Sequence, residues 1–243
     1  MISDVNPKFS IIIPLYNEEN RLTKTAEEIF EYFLNRPELV EIIFVNDGSV
    51  DRTKNILDHY NEKYNFTVIS YSDNKGKGYA VKWGALAAKG QWIVFFDIDL
   101  ATPLSEFEHL VNFLESNDQI IIGSRRLSDS QINKSESVIR TFLGHGFTKL
   151  SNILVPKISD FTCGFKCFSN SSAKKLFSLA KIDRWGFDTE LLYIAKLKDI
   201  PIREMSVCWR HDGDSRVSVF KAIFSSLKEL IQMKLNQLRG LYT

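Results

Sequence analysis

The stretch that most constrains this chain is Trp92-Ile93-Val94-Phe95-Phe96-Asp97-Ile98-Asp99, a short apolar run that ends in two carboxylates one residue apart. Its β-branched and aromatic content, following Lys89-Gly90, predicts a buried strand. Side chains alternate along a strand, so Asp97 and Asp99 are expected to leave its carboxyl end on one side. Like charges placed together repel unless a cation sits between them. Two readings stand on these residues alone. One is a divalent metal that carries a diphosphate; the other is a pair of solvated acids in the loop beyond a strand.

The same alternation runs along the chain. Apolar runs predict strands over 9–14, 41–46, 66–71, 92–97 and 119–123, and helical spacing predicts helices over 20–35, 51–64, 79–89 and 103–115. Thr102-Pro103 opens the last of these with a capping hydroxyl and a proline at the first helical position. Strands that are apolar nearly throughout, alternating with helices, imply an α/β fold: a mostly parallel central sheet with helices on both faces. A chain of 243 residues suits one such domain. Ligands bind such sheets at the carboxyl ends of the strands, where Asp97 and Asp99 are expected. The stretch 127–137 is the most polar and predicts a mobile loop.

Composition excludes several classes. The net charge of +1 gives no general attraction to nucleic acid or to an anionic membrane. Cys163, Cys167 and Cys208 lack metal-finger spacing and read as small core hydrophobes in a reduced setting. The first residues carry neither a basic region nor an apolar one, so no signal peptide is expected. No segment reaches the ~20 charge-free apolar residues needed to span a bilayer. The expected location is cytoplasmic or peripheral on the cytoplasmic face of a membrane.

Polar residues recur at neighbouring strand ends. The first strand runs into Pro14-Leu15-Tyr16-Asn17-Glu18-Glu19 and the second into Asn46-Asp47-Gly48-Ser49-Val50-Asp51-Arg52-Thr53. Capping of the next helix accounts for Ser49, Asp51 and Thr53. It accounts less well for an acid and an amide at successive strand ends. Asn74-Lys75-Gly76-Lys77-Gly78 opens a helix with glycines and cations, a combination that favours anions. It is neither a Walker A loop nor a G-x-G-x-x-G fingerprint.

Taken in order, Pro14 to Glu18, Val45 to Thr53, Asn74 to Gly78 and Asp97-Ile98-Asp99 resemble the family 2 glycosyltransferases with the GT-A fold. Gly123-Ser124-Arg125, Asp160-Phe161-Thr162-Cys163-Gly164-Phe165-Lys166, Arg184 to Leu192 and Trp209 to Arg216 are similar to the dolichyl-phosphate glucosyltransferase branch. The dolichyl-phosphate mannosyltransferases, which use GDP-mannose, differ at the cysteine-glycine stretch. The resemblance covers nearly the whole chain. It implies a nucleotide-sugar-binding half over 1–125, an acceptor-binding half over 126–215 and a C-terminal amphipathic helix over 216–243.

The resemblance also implies roles. Asp47 bonds the uracil edge, Pro14, Tyr16, Asn17 and Glu18 line the nucleoside pocket, and Lys77 lies in the nucleotide-sugar site. Asp99, with Asp97, holds Mg²⁺ or Mn²⁺ on the diphosphate; alternatively Asp97 touches ribose. The implied reaction moves glucose from UDP-glucose, with inversion, to a polyprenyl or dolichyl phosphate. A saccharide hydroxyl acceptor would need a base, whereas a phosphate monoester, with a second pKa near ~6, arrives as a nucleophile. It needs cations to hold it in line. Arg125, Arg140 and Lys166 are the candidates, Arg125 also having the plain reading of a surface ion pair. Asp160 has three readings: orienting a cation, acting as base for a hydroxyl, or capping a turn. Asp188 and Glu190 are expected to face solvent from a helix whose apolar residues pack on the core. His59, His109 and His145 read as structural or surface residues; only His211 sits in a motif. A remote alternative is a nucleotide-sugar-binding protein without activity.

From 217 to 238, Phe220, Ile223, Phe224, Leu227, Leu230, Ile231 and Leu238 follow helical spacing, interrupted by Lys221, Lys228, Lys234 and Arg239. Either a terminal helix packs on the core, or an interfacial helix lies on a bilayer. The stretch 143–158, with Phe147, Leu150, Ile153, Leu154 and Val155, is a second candidate for membrane contact.

Overall fold

A computed structural model describes residues 7–34, 36, 40–116, 119–134, 138–210 and 219–243. Side chains are described over these ranges except at 133, 134, 138–143 and 219–226. The predicted strands appear as β1 (Phe9–Leu15), β2 (Val40–Asp47), β3 (Thr67–Tyr71), β4 (Trp92–Phe95) and β5 (Ile120–Ser124). Between them lie α1 (Glu19–Leu34), α2 (Thr53–Lys63), α3 (Lys77–Ala87) and α4 (Ser105–Phe113). The second half adds β6 (Gln131–Lys134), α5 (Val138–Leu154), β7 (Lys166–Ser169), α6 (Asn170–Leu179), α7 (Phe187–Leu197), β8 (Ile202–Ser206), β9 (Cys208–Arg210) and α8 (Val219–Leu238).

The main sheet has seven strands in the order β3-β2-β1-β4-β7-β5-β8. Every pairing in it is parallel except those of β7, which runs antiparallel to both β4 and β5. Alternation along each strand sends neighbouring residues into different cores. Ile12 joins Ile43, Val45, Ala80, Val81 and Leu191 beneath α3 and α7, while Ile11 and Ile13 join Leu22, Ile29, Phe30, Phe44 and Phe107 beneath α1 and α4. Helices thus cover both faces, as the apolar strands required.

Two expectations need correction. The strand β4 stops at Phe95, so Asp97 and Asp99 do not extend it. The backbone turns there, with the Leu100 N–H donating to the Asp97 carbonyl at 3.1 Å and Leu100 held at φ 48°. A leucine in the left-handed region costs roughly 1–2 kcal/mol, a strain that only a constrained loop retains. The second correction concerns 127–137. Gln131–Lys134 is a strand, parallel to β9. Its polar composition hid it because the ladder satisfies the backbone while side chains such as Ile132 stay exposed.

Candidate active site

The loops after β1 and β2 hold each other. Asn17, at φ 53°, donates its N–H to Ser49 Oγ at 2.9 Å and accepts at Oδ1 from the Val50 N–H at 2.9 Å. The Glu18 N–H donates to Thr53 Oγ1 at 2.9 Å and the Glu19 N–H to Asp51 Oδ2 at 3.1 Å. Ser49, Asp51 and Thr53 therefore serve the amino end of α1, beyond the local cap that Asp51 also makes to the Thr53 N–H at 3.0 Å. The clamp leaves Tyr16 43 % exposed beside half-buried Pro14 and Glu18. Glu18 pairs with Arg21 at 3.1 Å.

Asp47 sits at the end of β2 and is 2 % exposed. Its carboxylate accepts from the Lys75 N–H at 2.8 Å, the Gly76 N–H at 2.9 Å and Asn74 Nδ2 at 2.7 Å. Burial, followed by the neighbouring Asp47 carboxylate, pushes the Tyr71 phenol up. Asp47 thus organises the loop that leads into α3, and its carboxylate, expected on the uracil edge, is instead buried and taken by that loop.

That loop delivers Lys77, the first residue of α3, to Asp97: Nζ lies 2.6 Å from Oδ1. Burial alone would lower this ammonium, but the Asp97 and Asp188 carboxylates overcome it and hold it above its ordinary value. The far side of Asp97 is walled by Gly164, where a Cβ would overlap Asp97 Oδ2. Only glycine leaves room for the carboxylate. Asp99 Oδ1 caps the turn, accepting from the Ala101 N–H at 3.0 Å. Burial, then the charge of Asp97, raises the Asp99 carboxyl. Two neighbouring carboxylates, hard oxygen donors, suit a hard divalent cation. No cluster of three or more histidine, cysteine or acid side chains joins them among the described residues. A cation bound through one or two carboxylates plus substrate phosphates needs no further protein ligand.

Arg125, just past β5, meets Asp160 through Nε to Oδ2 at 2.7 Å and a terminal nitrogen to Oδ1 at 2.9 Å. The Arg125 N–H adds a bond to Oδ2 at 3.1 Å, Thr162 Oγ1 takes a guanidinium N–H at 2.9 Å, and the guanidinium lies 5.3 Å from the Trp209 ring centre. A bidentate pair of this kind fixes a planar cation. Burial alone would raise Asp160, but Arg125 beside it holds the carboxyl well below the ordinary range. Asp160 Oδ1 also accepts from the Thr162 N–H at 3.1 Å, so two of its three readings, pairing with a cation and capping the turn before Cys163, are both present in the geometry. Asp160 is fully buried.

Lys166 departs from its expected place. It opens β7 in the middle of the sheet and is fully buried, with Nζ 2.9 Å from Asp188 Oδ1 and donating to the Cys163 carbonyl. An acceptor phosphate has no open route to it. Asp188 and Glu190 are likewise buried rather than solvent-facing. Burial raises both carboxyls, Lys166 partly offsetting it at Asp188 and Tyr242 at Glu190. Glu190 Oε2 takes the Lys181 and Ile182 N–H groups at 2.9 and 2.8 Å. Sequence periodicity missed both acids because α7 is buried on every side over 187–195. The one signal was that its polar residues interrupt an otherwise apolar helix. Arg140 lies on α5 with its side chain outside the described ones, and His211 to Arg216 lie outside the described residues.

The segment 160–164 joins these parts. Thr162 holds Arg125 and Gly164 faces Asp97, so one short loop, whose two residue steps span at most ~7 Å, carries both the cation and the carboxylate pole.

Comparisons with known proteins bear on the family and the fold. The dolichyl-phosphate beta-glucosyltransferase of Dictyostelium discoideum is 33% identical over 98% of this chain and 77% of its own length. The human protein of that name is 35% identical over 96% and 76%. Among solved structures, glucosyl-3-phosphoglycerate synthase from Mycobacterium tuberculosis with Mn²⁺, UDP and phosphoglyceric acid superposes with a TM-score of 0.66 at 18% identity, over 95% of this chain and 78% of that one. The same enzyme with UDP-glucose, Mn²⁺ and glycerol 3-phosphate gives 0.62 at 18%, over 95% and 79%. These likenesses establish the GT-A fold. The family model for glycosyl transferase family 2 matches residues 10–177, and the chain belongs to that family.

Proposed function

We propose that this chain is an inverting, metal-dependent glucosyltransferase that moves glucose from UDP-glucose to the phosphate of a dolichyl or polyprenyl lipid, working peripherally at the cytoplasmic face of a membrane. The observation that carries the choice of acceptor is the Arg125–Asp160 pair. A hydroxyl acceptor needs a base whose pKa lies near the working pH. Asp160 is buried and held far below that by Arg125. What the pair presents instead is an oriented guanidinium, the group suited to a phosphate. The names of the relatives support glucose and a dolichyl phosphate, and the ligands of the solved neighbours support UDP-glucose and a divalent ion.

In this reading Tyr16 and Pro14 receive the nucleoside, with Glu18 and Asn17 holding that pocket's rim. Asp47 shapes the Asn74–Gly76 loop beside the base. Asp97 and Asp99 hold Mg²⁺ or Mn²⁺, which supplies positive charge to the departing diphosphate. Lys77, at the amino end of α3, adds its ammonium and the helix N–H groups on the same side. Arg125, and Arg140 from α5, orient the acceptor phosphate. An acceptor oxygen attacks the anomeric carbon, the bond to the diphosphate breaks, and UDP leaves with that electron pair. No proton has to be removed. Lys166 acts through Asp188 as a positioning residue behind Lys77.

The test is transfer of label from radiolabelled UDP-glucose to a polyprenyl phosphate with Mg²⁺ or Mn²⁺, scored by extraction into organic solvent, with Asp99→Asn as the blank. Label that disappears in the variant upholds the reading. Bound UDP-glucose with no extractable label points to a saccharide acceptor, and label only from GDP-mannose overturns the choice of sugar.

A further inference from the structure

The helix α8 has two apolar faces. Its inner face carries Met233, buried in the core with Tyr242 just beyond the helix, and Leu230 packs against the same cluster. Buried Asn236 donates to the Tyr242 hydroxyl at 3.2 Å. The core-packing expectation is therefore met by this face alone. The outer face carries a second apolar set: Leu227, Ile231, Leu235 and Leu238, with Ile231 64 % and Leu238 73 % exposed. At about 100° per residue these four fall within a stripe about 80° wide. On the same wheel Lys234 borders the stripe on one side, and Lys228 and Arg239 border it on the other, all exposed. The only side-chain carboxylate between 219 and 243 is Glu229, which points inward: a Cβ on Gly186 would lie 2.7 Å from its Oε2.

The helix α5 packs against α8 and repeats the pattern. Ile153 is 75 % exposed and Leu150 is exposed, near exposed Lys149 and Lys157, and no acid occurs between 138 and 158. Buried apolar area would stabilise any occupant, but the charges choose among occupants. A second copy of this chain would bring like cations together along the stripe. A bilayer with anionic headgroups brings complementary charge to both borders.

We infer that the exposed faces of α8 and α5 dock on the anionic surface of a lipid bilayer. Both helices also lean on the site. Glu229 of α8 meets Gly186, whose neighbour Trp185 has its ring centre 5.9 Å from Lys77 Nζ. Thr148 of α5 accepts from Arg126, next to Arg125. Docking would thus hold the two helices that contact the neighbours of Lys77 and Arg125 against the surface in which a lipid phosphate resides. This consequence rests on the lipid-phosphate reading; the docking itself does not.

The test is co-sedimentation of the full chain with vesicles of phosphatidylcholine alone and of phosphatidylcholine mixed with phosphatidylserine. Ile231→Glu with Leu238→Glu, and separately Lys228→Glu with Lys234→Glu, are compared with the wild type. Circular dichroism and UDP binding confirm that each variant folds. Strong binding to the mixed vesicles, lost with the glutamates in the stripe and weakened about 25-fold or more by the two charge reversals, upholds the inference. Binding that ignores lipid charge and both sets of variants overturns it. So does self-association abolished by Ile231→Glu in a chain that leaves vesicles unbound. Transfer to a short-chain polyprenyl phosphate in detergent separates the two readings. Activity there without vesicle binding defeats the docking alone, while vesicle binding without transfer to any lipid phosphate defeats the proposed acceptor alone.

Discussion

The two ends of the site are built from different forces. Around β1, β2 and α3 the loops are tied by short polar side chains to backbone N–H groups: Ser49, Thr53, Asp51, Asn17 and Asp47 each accept one or more. Around β5 and β7 the parts are tied by ion pairs that each have a fully buried partner, Arg125 with Asp160 and Lys166 with Asp188, whereas the donor end's pair of Lys77 with Asp97 is partly exposed on both sides. A backbone hydrogen bond contributes about 1 kcal/mol and its loss is local. Breaking a buried ion pair costs about 3–5 kcal/mol because it leaves an uncompensated charge. The donor end should therefore fail gradually under mutation, and the acceptor end all at once.

The largest effect should come from Asp160→Asn. The prediction is a loss of about 3 kcal/mol or more in urea unfolding at neutral pH, with turnover falling as Arg125 loses its orientation. The sign in pH is fixed by the depressed folded value. The pair's contribution is present above the ordinary aspartate value of about 4 and is lost as pH falls through the lower folded one. The variant should lack this acid limb, and a wild type whose stability is flat into acid would break the comparison.

Next comes Asp99→Asn. One charge pair at 4 Å and an effective dielectric of 20 is worth ~4 kcal/mol, near a thousandfold in rate. Turnover should fall by about that factor while the unfolding midpoint holds or rises slightly, since burial already disfavours the Asp99 charge. A variant that unfolds readily would show that Asp99 belongs to the scaffold.

Gly164→Ala should be smaller in stability, about 1–3 kcal/mol from overpacking, yet selective in chemistry. The new methyl displaces Asp97, so metal dependence should shift to higher Mg²⁺ or Mn²⁺ while UDP-independent folding persists. Unchanged metal titration would separate Asp97 from the cation site. Ser49→Ala should be the mildest, about 1 kcal/mol for the bond to the Asn17 N–H, visible in the unfolding midpoint with KM for UDP-glucose nearly unchanged. A loss as large as that of Asp160→Asn would erase the contrast between the two ends.

The contrast also explains what is legible in the sequence. The donor end is assembled from segments that each carry a local pattern, a strand, a turn and a helix start, even though its bonds also cross up to 35 positions. Such local rules show in the pattern, and Asp47, Lys77, Asp97 and Asp99 were all singled out. The acceptor end pairs Arg125 with Asp160 across 35 positions. Residue types there allowed three readings for Asp160, a place at the acceptor phosphate for Lys166 and a solvent-facing one for Asp188 and Glu190. The short strand β7 was missed because four residues beginning with a lysine carry little periodic signal.

The sequence by itself determined the α/β class, the apolar strands buried on both faces, the family, and the acid pair after β4. Those follow from hydrophobic periodicity and local turn chemistry, which act over a few residues. Only the tertiary structure decided that β7 inserts antiparallel between β4 and β5, that Lys166 and Asp188 neutralise each other in the core, and that α8 offers one apolar face to the core and another to solvent. The reason is physical: burial and charge pairing depend on which distant segments meet, and a one-dimensional pattern does not record their meeting.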